Sequence, residues 1–184
     1  VANVTWNDGK ATARPTPSLT LMADGAPIAD APTPVYASAN YSLDTYTYPN
    51  LPKYAAGVII PYAVTQADVP GYLTAQSSPN IVNTLKTSLT AYVQWQDAST
   101  AAETRPNSTT FSALLTLAQH ARRAGAPIVA LSGPAIALDS TANPWVLHVA
   151  DLPAYDPDGY PYDYMFSQAH VDAANQGYGT YVNS

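Results

Sequence analysis

Few side chains in this sequence have the types and spacing that catalysis or metal binding requires. The histidines His120, His148 and His170 are scattered, and all lie in the second half of the chain. A carboxylate cluster at residues 156–159 (DPDG), followed by Asp163, has a calcium-like appearance but offers fewer oxygen ligands than a calcium loop uses, so a plain turn is favoured. No Gly-rich phosphate loop or nucleophile elbow is present. We therefore expect no catalytic residue, no metal site and no cofactor.

Gln66 and Gln168 are candidates for a covalent cross-link. Gln66 and Gln168 lie near threonines, and a threonine hydroxyl can form an ester with a glutamine side chain. No matched set of Thr, His and acid accompanies both glutamines. The favoured interpretation is therefore a buried amide that pairs with Asn83 or Asn183 and with the backbone.

The fourteen tyrosines form a further candidate site. They either pack on sheet faces or provide a contact face for a neighbouring subunit, a host protein or a sugar. The first group is Tyr36, Tyr41, Tyr46 and Tyr48, and the second is Tyr155, Tyr160, Tyr162 and Tyr164.

The elements that must position these residues are predicted to be strands. Charged residues make up 11% of the chain, Glu occurs once, and Thr, Ser, Ala, Pro and Tyr are abundant, a composition suited to strands and turns. Apolar and polar residues alternate at residues 18–22, 91–95 and 145–149, and turn clusters separate such runs. Residues 111–125 also suit a short helix, but we interpret them as a strand followed by a longer loop that has one helical turn at most.

Charge and hydropathy exclude several classes of partner. A net charge of −6 argues against binding to nucleic acid or to anionic lipid. The longest apolar stretch, residues 124–138, contains two glycines and two prolines and predicts no membrane span. The absence of cysteine leaves the compartment open.

One order of anchor residues occurs twice along the chain. The offset between the copies is 89 at Trp6 and Trp95, rises to 102 at Gln66 and Gln168, and ends at 100. A constant order with drifting spacing predicts duplicated domains with loop insertions, at residues 1–85 and 86–184. The second domain is expected to have a longer loop near residues 118–126. The remaining paired anchors are Arg14-Pro15 with Arg105-Pro106, Gly25-Ala26-Pro27-Ile28 with Gly125-Ala126-Pro127-Ile128, Leu51-Pro52 with Leu152-Pro153, Tyr54 with Tyr155, Gly57 with Gly159, and Tyr62 with Tyr164.

These anchors resemble the collagen-adhesin B-type (Cna-B) domain of Gram-positive surface proteins and pilins. The family's pattern opens with Lys-Val-Trp-x-Asp, continues through Arg-Pro, Asp-Gly and Leu-Pro-Lys-Tyr to Tyr-x-Val-x-Glu and Val-x-Gly-Tyr, and ends in a strand with Asn-Thr. The first copy matches at residues 4–8 (VTWND), 14–15 (RP), 24–25 (DG), 51–54 (LPKY), 62–66 (YAVTQ), 69–72 (VPGY) and 82–84 (VNT). The second copy matches at residues 93–97 (VQWQD), 105–106 (RP), 152–155 (LPAY), 158–159 (DG), 164–168 (YMFSQ) and 182–184 (VNS).

Members of the resembled family form an internal covalent bond, but this sequence lacks the reactive Lys and Glu at the corresponding positions. In the family, a Lys two residues before the Trp bonds to the Asn of the last strand, assisted by the Glu of Tyr-x-Val-x-Glu. Burial keeps such a Lys neutral and nucleophilic, and keeps the Glu protonated so that it polarises the Asn carbonyl. Residues 88–184 contain no lysine, which excludes a Lys–Asn bond within the second copy. The vestigial isopeptide positions are Val4, Gln66 and Asn83 in the first copy and Val93, Gln168 and Asn183 in the second.

Through this resemblance the expected fold is all-β, with two tandem Greek-key, Ig-like β-sandwich domains. The expected function is that of a stalk or filament-shaft segment of a cell-surface adhesin or pilus, without internal isopeptide bonds. Its location would be extracellular, and its partners would be neighbouring copies or modules of the same surface protein. The alternative is an adhesive module that recognises a host protein or glycan through a tyrosine-rich face. An exposed aromatic patch on one copy would favour this alternative.

Overall fold

The computed structural model describes residues 1–95 and 105–168, and within these ranges it is built almost entirely of β-strands. The chain divides into two compact units. The first comprises residues 1–86 and 153–160, and the second comprises residues 87–152 and 161–184. None of the helices in the described ranges has the length and apolar character needed to cross a membrane.

The regular elements are short, as the turn-rich sequence predicts. In the first half they are β1 (Ala2–Asn7), β2 (Leu19–Ala23), β3 (Ala26–Pro27), β4 (Val35–Asn40), β5 (Leu43–Thr47), β6 (Tyr54–Ala55), β7 (Val58–Ile59), β8 (Tyr62–Gln66) and β9 (Tyr72–Ser77). They continue with β10 (Asn80–Val93), α1 (Ser108–Ala113), β11 (Leu115–Ala121), β12 (Ile128–Leu131), β13 (Ala137–Asp139), β14 (Trp145–Pro153) and β15 (Tyr162–Gln168).

Two sheets and a small hairpin build the first unit. One sheet has the order β9-β10-β1-β5-β4, in which β1 and β10 run parallel and the other pairs are antiparallel. The other sheet has the order β3-β2-β8, and β6 pairs with β7. Period-two alternation turns one face of each strand inward, and the buried apolar residues of β1, Ala2, Val4 and Trp6, follow this alternation. They form one core with Leu21, Val64, Val69, Tyr72 and Ile81.

The second unit also contains two sheets, which pack around a different interior. Its sheets have the orders β13-β14-β10 and β12-β11-β15, and residues 87–93 of β10 belong to this unit. Leu117, Val149 and Leu152 form its aliphatic core. The rings of Trp95, Phe111 and Trp145 contact one another edge to face, at centroid separations of 4.9–5.8 Å.

Strand order and register correspond between the units. The order β4-β5-β1 of the first unit has its counterpart in β13-β14-β10, and β3-β2-β8 has its counterpart in β12-β11-β15. Leu19 lies opposite Gln66 in the β2–β8 pair, just as Leu115 lies opposite Gln168 in the β11–β15 pair. The glutamines paired in the sequence comparison therefore occupy the same register.

The structure corrects the expected position of the longer loop. Residues 118–121, assigned to that loop near 118–126, belong to strand β11, where Ala118 and Ala121 are buried. Among the described residues, the additional segment of the second unit lies earlier, in helix α1. This helix begins after the N-cap Asn107 and buries Phe111. Phe111 packs against two tryptophans, and this burial favours a helical turn before the strand instead of after it.

Candidate functional site

Val4, Gln66 and Asn83 are positioned by three different strands of the first unit. The parallel pairing of β1 with β10 places Val4 opposite Ile81 and Trp6 opposite Asn83, so these four side chains share one face. Gln66 ends β8 in the other sheet. Val4 and Asn83 are fully buried, and Gln66 is 5% exposed. The terminal strands of this unit therefore meet the opposite sheet at a buried polar contact.

The two buried amides satisfy each other. Gln66 Nε2 donates to Asn83 Oδ1 at 2.7 Å, and Asn83 Nδ2 donates to Gln66 Oε1 at 3.2 Å. The Thr74 hydroxyl also donates to Asn83 Oδ1 at 2.8 Å, and Gln76 exchanges two hydrogen bonds with the Gln66 backbone. Because an unsatisfied buried amide costs about 1–3 kcal/mol, this pairing is what makes burial of both side chains tolerable.

The arrangement supports hydrogen bonding and lacks the groups that a covalent bond requires. Val4 contributes only methyl groups, and both amides are uncharged. The Thr74 hydroxyl lies at the pair, but no contact of the described residues provides a base to activate it, so an ester with Gln66 has no support. Lys10, in the loop after β1, and Lys53 are both exposed.

A second buried polar cluster lies at the end of β1. Arg14 donates to both carboxylate oxygens of Asp8, at 2.5 and 2.7 Å, and its guanidinium stands 5.5 Å from the Trp6 ring centroid. Burial alone would raise the pKa of Asp8, but the hydrogen bonds from Arg14 and Ala11 and the charge of Arg14 outweigh burial and lower that pKa. The Tyr72 hydroxyl completes the cluster, and burial raises the pKa of Tyr72. These contacts fix the loop that follows β1.

The tyrosines predicted to form contact faces are distributed differently from the expectation. Tyr36 and Tyr46 lie opposite each other on β4 and β5 with ring centroids 5.4 Å apart, and Tyr48 packs against the core. Tyr41 is exposed at the β4–β5 turn. Burial, with the charge of Asp44, raises the pKa of Tyr46 to about 12.

The second tyrosine cluster is divided between the two units. Tyr155 and Tyr160 belong to the first unit, whereas Tyr162 belongs to the second and contacts Tyr164 at 6.0 Å. The physical reason is that the segment 153–160 is tied to the first unit, where Ala154 N donates to Leu85 O at 2.7 Å and the Tyr155 ring lies over Gly9. A side chain at Gly9 would clash with that ring, so the glycine permits this close approach.

Part of the second unit's predicted site lies outside the described residues. Val93 is half-buried at the end of β10. Gln168 ends β15 in the register given above, but its side chain and Asn183 lie outside the described residues. The structure therefore pairs Gln66 with Asn83 in the first unit and places Val4 on the same face as Asn83, and it leaves their counterparts in the second unit as a prediction.

The carboxylate cluster at residues 156–159 forms a turn. Asp156 is buried and its Oδ1 accepts from the backbone N–H groups of Asp158 and Tyr160, at 3.0 and 2.8 Å. Within residues 1–95 and 105–168, no three His, Asp or Glu side chains lie together in a way that would hold a metal ion. His148 Nδ1 lies 3.1 Å from the Thr90 hydroxyl oxygen.

Sequence reasoning missed Asp44 in the first unit. This carboxylate is 8% exposed and accepts from Trp6 Nε1 at 2.8 Å and from the Tyr36 hydroxyl at 3.1 Å. The signal was present in the alternation of β5, which places Asp44 and Tyr46 on the inward face. It was hidden because a charged residue in a short strand is ordinarily expected on the outer face.

Comparison with known proteins connects this geometry to a family. Residues 2–84 match the family model described as the Cna protein B-type domain. Two solved structures from the collagen-binding surface protein (Cna) of Staphylococcus aureus are similar at 21% identity and a TM-score of 0.31. The alignment covers 99% of this chain with either structure, with 89% of a single B repeat unit and 45% of a two-repeat chain. No curated protein matches the sequence.

Proposed function

We propose that the chain is a stalk or filament-shaft segment of a Gram-positive cell-surface protein. The match of residues 2–84 to the family model of the Cna protein B-type domain supports this proposal. In this proposal the protein is extracellular and associated with the cell wall, and it works by holding other parts of the surface protein at a distance. Neighbouring modules or copies of the same protein are its partners.

The observation that carries this proposal is the buried amide pair between Gln66 and Asn83. In the family that the sequence resembles, a covalent bond ties the first strand to the last. Here the neutral side chains of Val4 and Gln66 stand at the two positions that would need an amine and a carboxyl. We infer that hydrogen bonds and apolar packing perform the same tethering, and that the unit unfolds reversibly under load.

Two repeated features support a tandem arrangement of such modules. The β2–β8 and β11–β15 pairs share one register relative to Gln66 and Gln168. An arginine guanidinium also stands over the repeated tryptophan in each unit, at 5.5 Å for Arg14 over Trp6 and 5.7 Å for Arg105 over Trp95. These features favour a second module of the same type, and with it a stalk built by repetition.

Electron microscopy of the native surface material tests the structural role. With an antibody raised against this chain, we expect label along thin stalks or filaments, at intervals set by the repeated modules. Shaved surface protein should migrate as a multi-module chain or a polymer. Recovery of the native protein as a dispersed monomer of these two units alone would overturn the proposal.

A further inference from the structure

A groove opens along one edge of the first unit and is named here the β4 groove. Its wall is the inward face of β4 and β5, on which Tyr36 lies opposite Tyr46 and Ser38 lies opposite Asp44. The loop around Arg14 forms the facing wall, and the volume is about 830 Å³. A space of this size accommodates several side chains of a partner, and its lining combines aromatic rings with polar and charged side chains, among them Arg14 and Asp44.

Strand β4 is an edge strand with little protection against pairing. Among the described residues its ladder partner is β5, and all six of its residues are exposed. Natural edges are usually blocked by charged side chains, prolines or bulges. The six residues of β4 (VYASAN) include no charged residue and no proline, and the register irregularity is confined to Ser38–Asn40. Residues 35–38 are therefore open to an added strand.

Asp44 places a buried carboxylate at the groove. Its two oxygens accept one hydrogen bond each, from Trp6 and Tyr36, although an ionised carboxylate offers about four acceptor positions. The nearby cation, Arg14, makes a two-bond ion pair with Asp8. Among the described residues, no salt bridge joins Asp44 to a cation. The remaining acceptor positions therefore suit a donor that carries positive charge.

Charge and hydrogen bonding together select the chemical class of the ligand. An anionic ligand would face Asp44 and a chain of net charge −6. A sugar needs a set of available donors and acceptors, but the side chains of Ser38 and Asn40 are already bonded to the local backbone. A cation beside the Tyr36 and Tyr46 rings gains attraction from both aromatic faces and from the carboxylate.

We propose that the β4 groove docks an extended segment of a partner protein, which pairs with the free edge of β4 and places a lysine or arginine side chain against Asp44. An added strand would lie about 5 Å from β4 and about 10 Å from β5, so only a long side chain on its inward face reaches Asp44. Backbone pairing supplies affinity, and the charged pocket supplies specificity, as in other strand-addition complexes.

Calorimetric titration of the full 184-residue chain tests this proposal. The probe is the peptide acetyl-Thr-Val-Lys-Val-Thr-amide, compared with versions that carry norleucine or diaminopropionic acid in place of lysine. We expect the lysine peptide to bind at least about tenfold more tightly than either, because norleucine lacks the charge and diaminopropionic acid lacks the reach. Absence of binding, or equal binding of the norleucine peptide, would overturn the proposal.

Variants of the chain locate the binding site. Tyr36→Ser should weaken binding of the lysine peptide about tenfold, and Asp44→Asn should remove its preference over norleucine. Tyr36 is 56% exposed, so its replacement leaves the core intact. Tyr54→Ser is the matched control, since Tyr54 is 53% exposed on β6, away from the groove. If Tyr36→Ser and Tyr54→Ser bind the lysine peptide equally, the site is not the β4 groove.

Backbone methylation tests strand pairing separately. Methylating the amides that face β4 should abolish binding, and methylating the alternate amides should leave it unchanged. Equal effects of both patterns would contradict strand addition. A chain that dimerises through β4 without peptide, or a Tyr36-dependent affinity for maltohexaose without peptide binding, would replace this proposal with self-association or glycan binding.

Discussion

The two units pair corresponding strands in the same register, but different side chains fill their interiors. The tryptophan of the first unit, Trp6, donates to the buried carboxylate Asp44, and the unit also buries an amide pair and an ion pair. Trp95 of the second unit instead contacts Phe111 and Trp145, and the described interior there is largely apolar. The comparison teaches that strand order and pairing tolerate an exchange of polar for aromatic interiors.

The largest effect should come from restoring the amine alone. Val4→Lys forces an ammonium into a fully buried, filled position. Asp44 lies opposite it on β5 but already accepts from Trp6 and Tyr36, and we expect the variant to destabilise the first unit by about 3–5 kcal/mol. Val93→Lys should cost less, because a half-buried lysine can extend its amine to water. Urea unfolding of both variants measures the difference. Equal losses of unfolding free energy in the two variants would contradict the expectation that the more buried position costs more.

A double variant tests whether these positions can form the covalent bond when the reactive side chains are restored. Val4→Lys with Gln66→Glu places an amine and a carboxyl beside Asn83, and burial favours the neutral form of each. The amine can then attack the Asn83 side-chain carbonyl, forming an amide and releasing ammonia. We expect partial cross-linking, seen as a fraction lighter by one ammonia. Without any such fraction, the assignment of these positions would be unsupported.

The relation between Gln66 and Asn83 was predicted through the family resemblance, which gives them two positions that meet in the family, and both lie in strands whose register brings them together here. The sequence did not place helix α1, since a short helix depends on the burial of Phe111 by residues distant in sequence. It also assigned Tyr155 to the second copy, although the contact with Gly9 ties that residue to the first unit. Such contacts depend on tertiary packing and leave no periodic signal.

An intermediate effect should come from the ion pairs, which differ in burial between the units. Arg14→Ala leaves Asp8 buried without its partner and should cost about 3 kcal/mol, whereas Arg122→Ala should change stability little because Arg122 and Asp163 are exposed. The lowered pKa of Asp8 means that its contribution is present above its unfolded pKa, near 3.8, and is lost as pH falls through the lower folded value. Acid titration of unfolding free energy should show this loss, and Asp8→Asn should remove it. An unchanged acid profile in Asp8→Asn would contradict this assignment.

The smallest effect on stability should come from helix α1. Among the described residues, the second unit contains a helix and the first does not. Asn107 caps α1 by accepting from Thr110 N at 2.8 Å. Asn107→Ala should destabilise the second unit by about 1 kcal/mol, and Asn107→Asp should retain most of the stability because its side chain still caps. Thermal unfolding measures both. Equal losses in the two variants would argue that the cap contributes nothing.

The central claim is that the last strand of the first unit, β10, is held by hydrogen bonds and not by a covalent bond: its backbone pairs with β1, and Asn83 pairs with Gln66 of β8. Intact mass spectrometry of the 184-residue chain tests it most directly. The account predicts the mass calculated from the sequence, before and after denaturation. A mass lower by one ammonia, with a cross-linked peptide that contains Asn83, would contradict it.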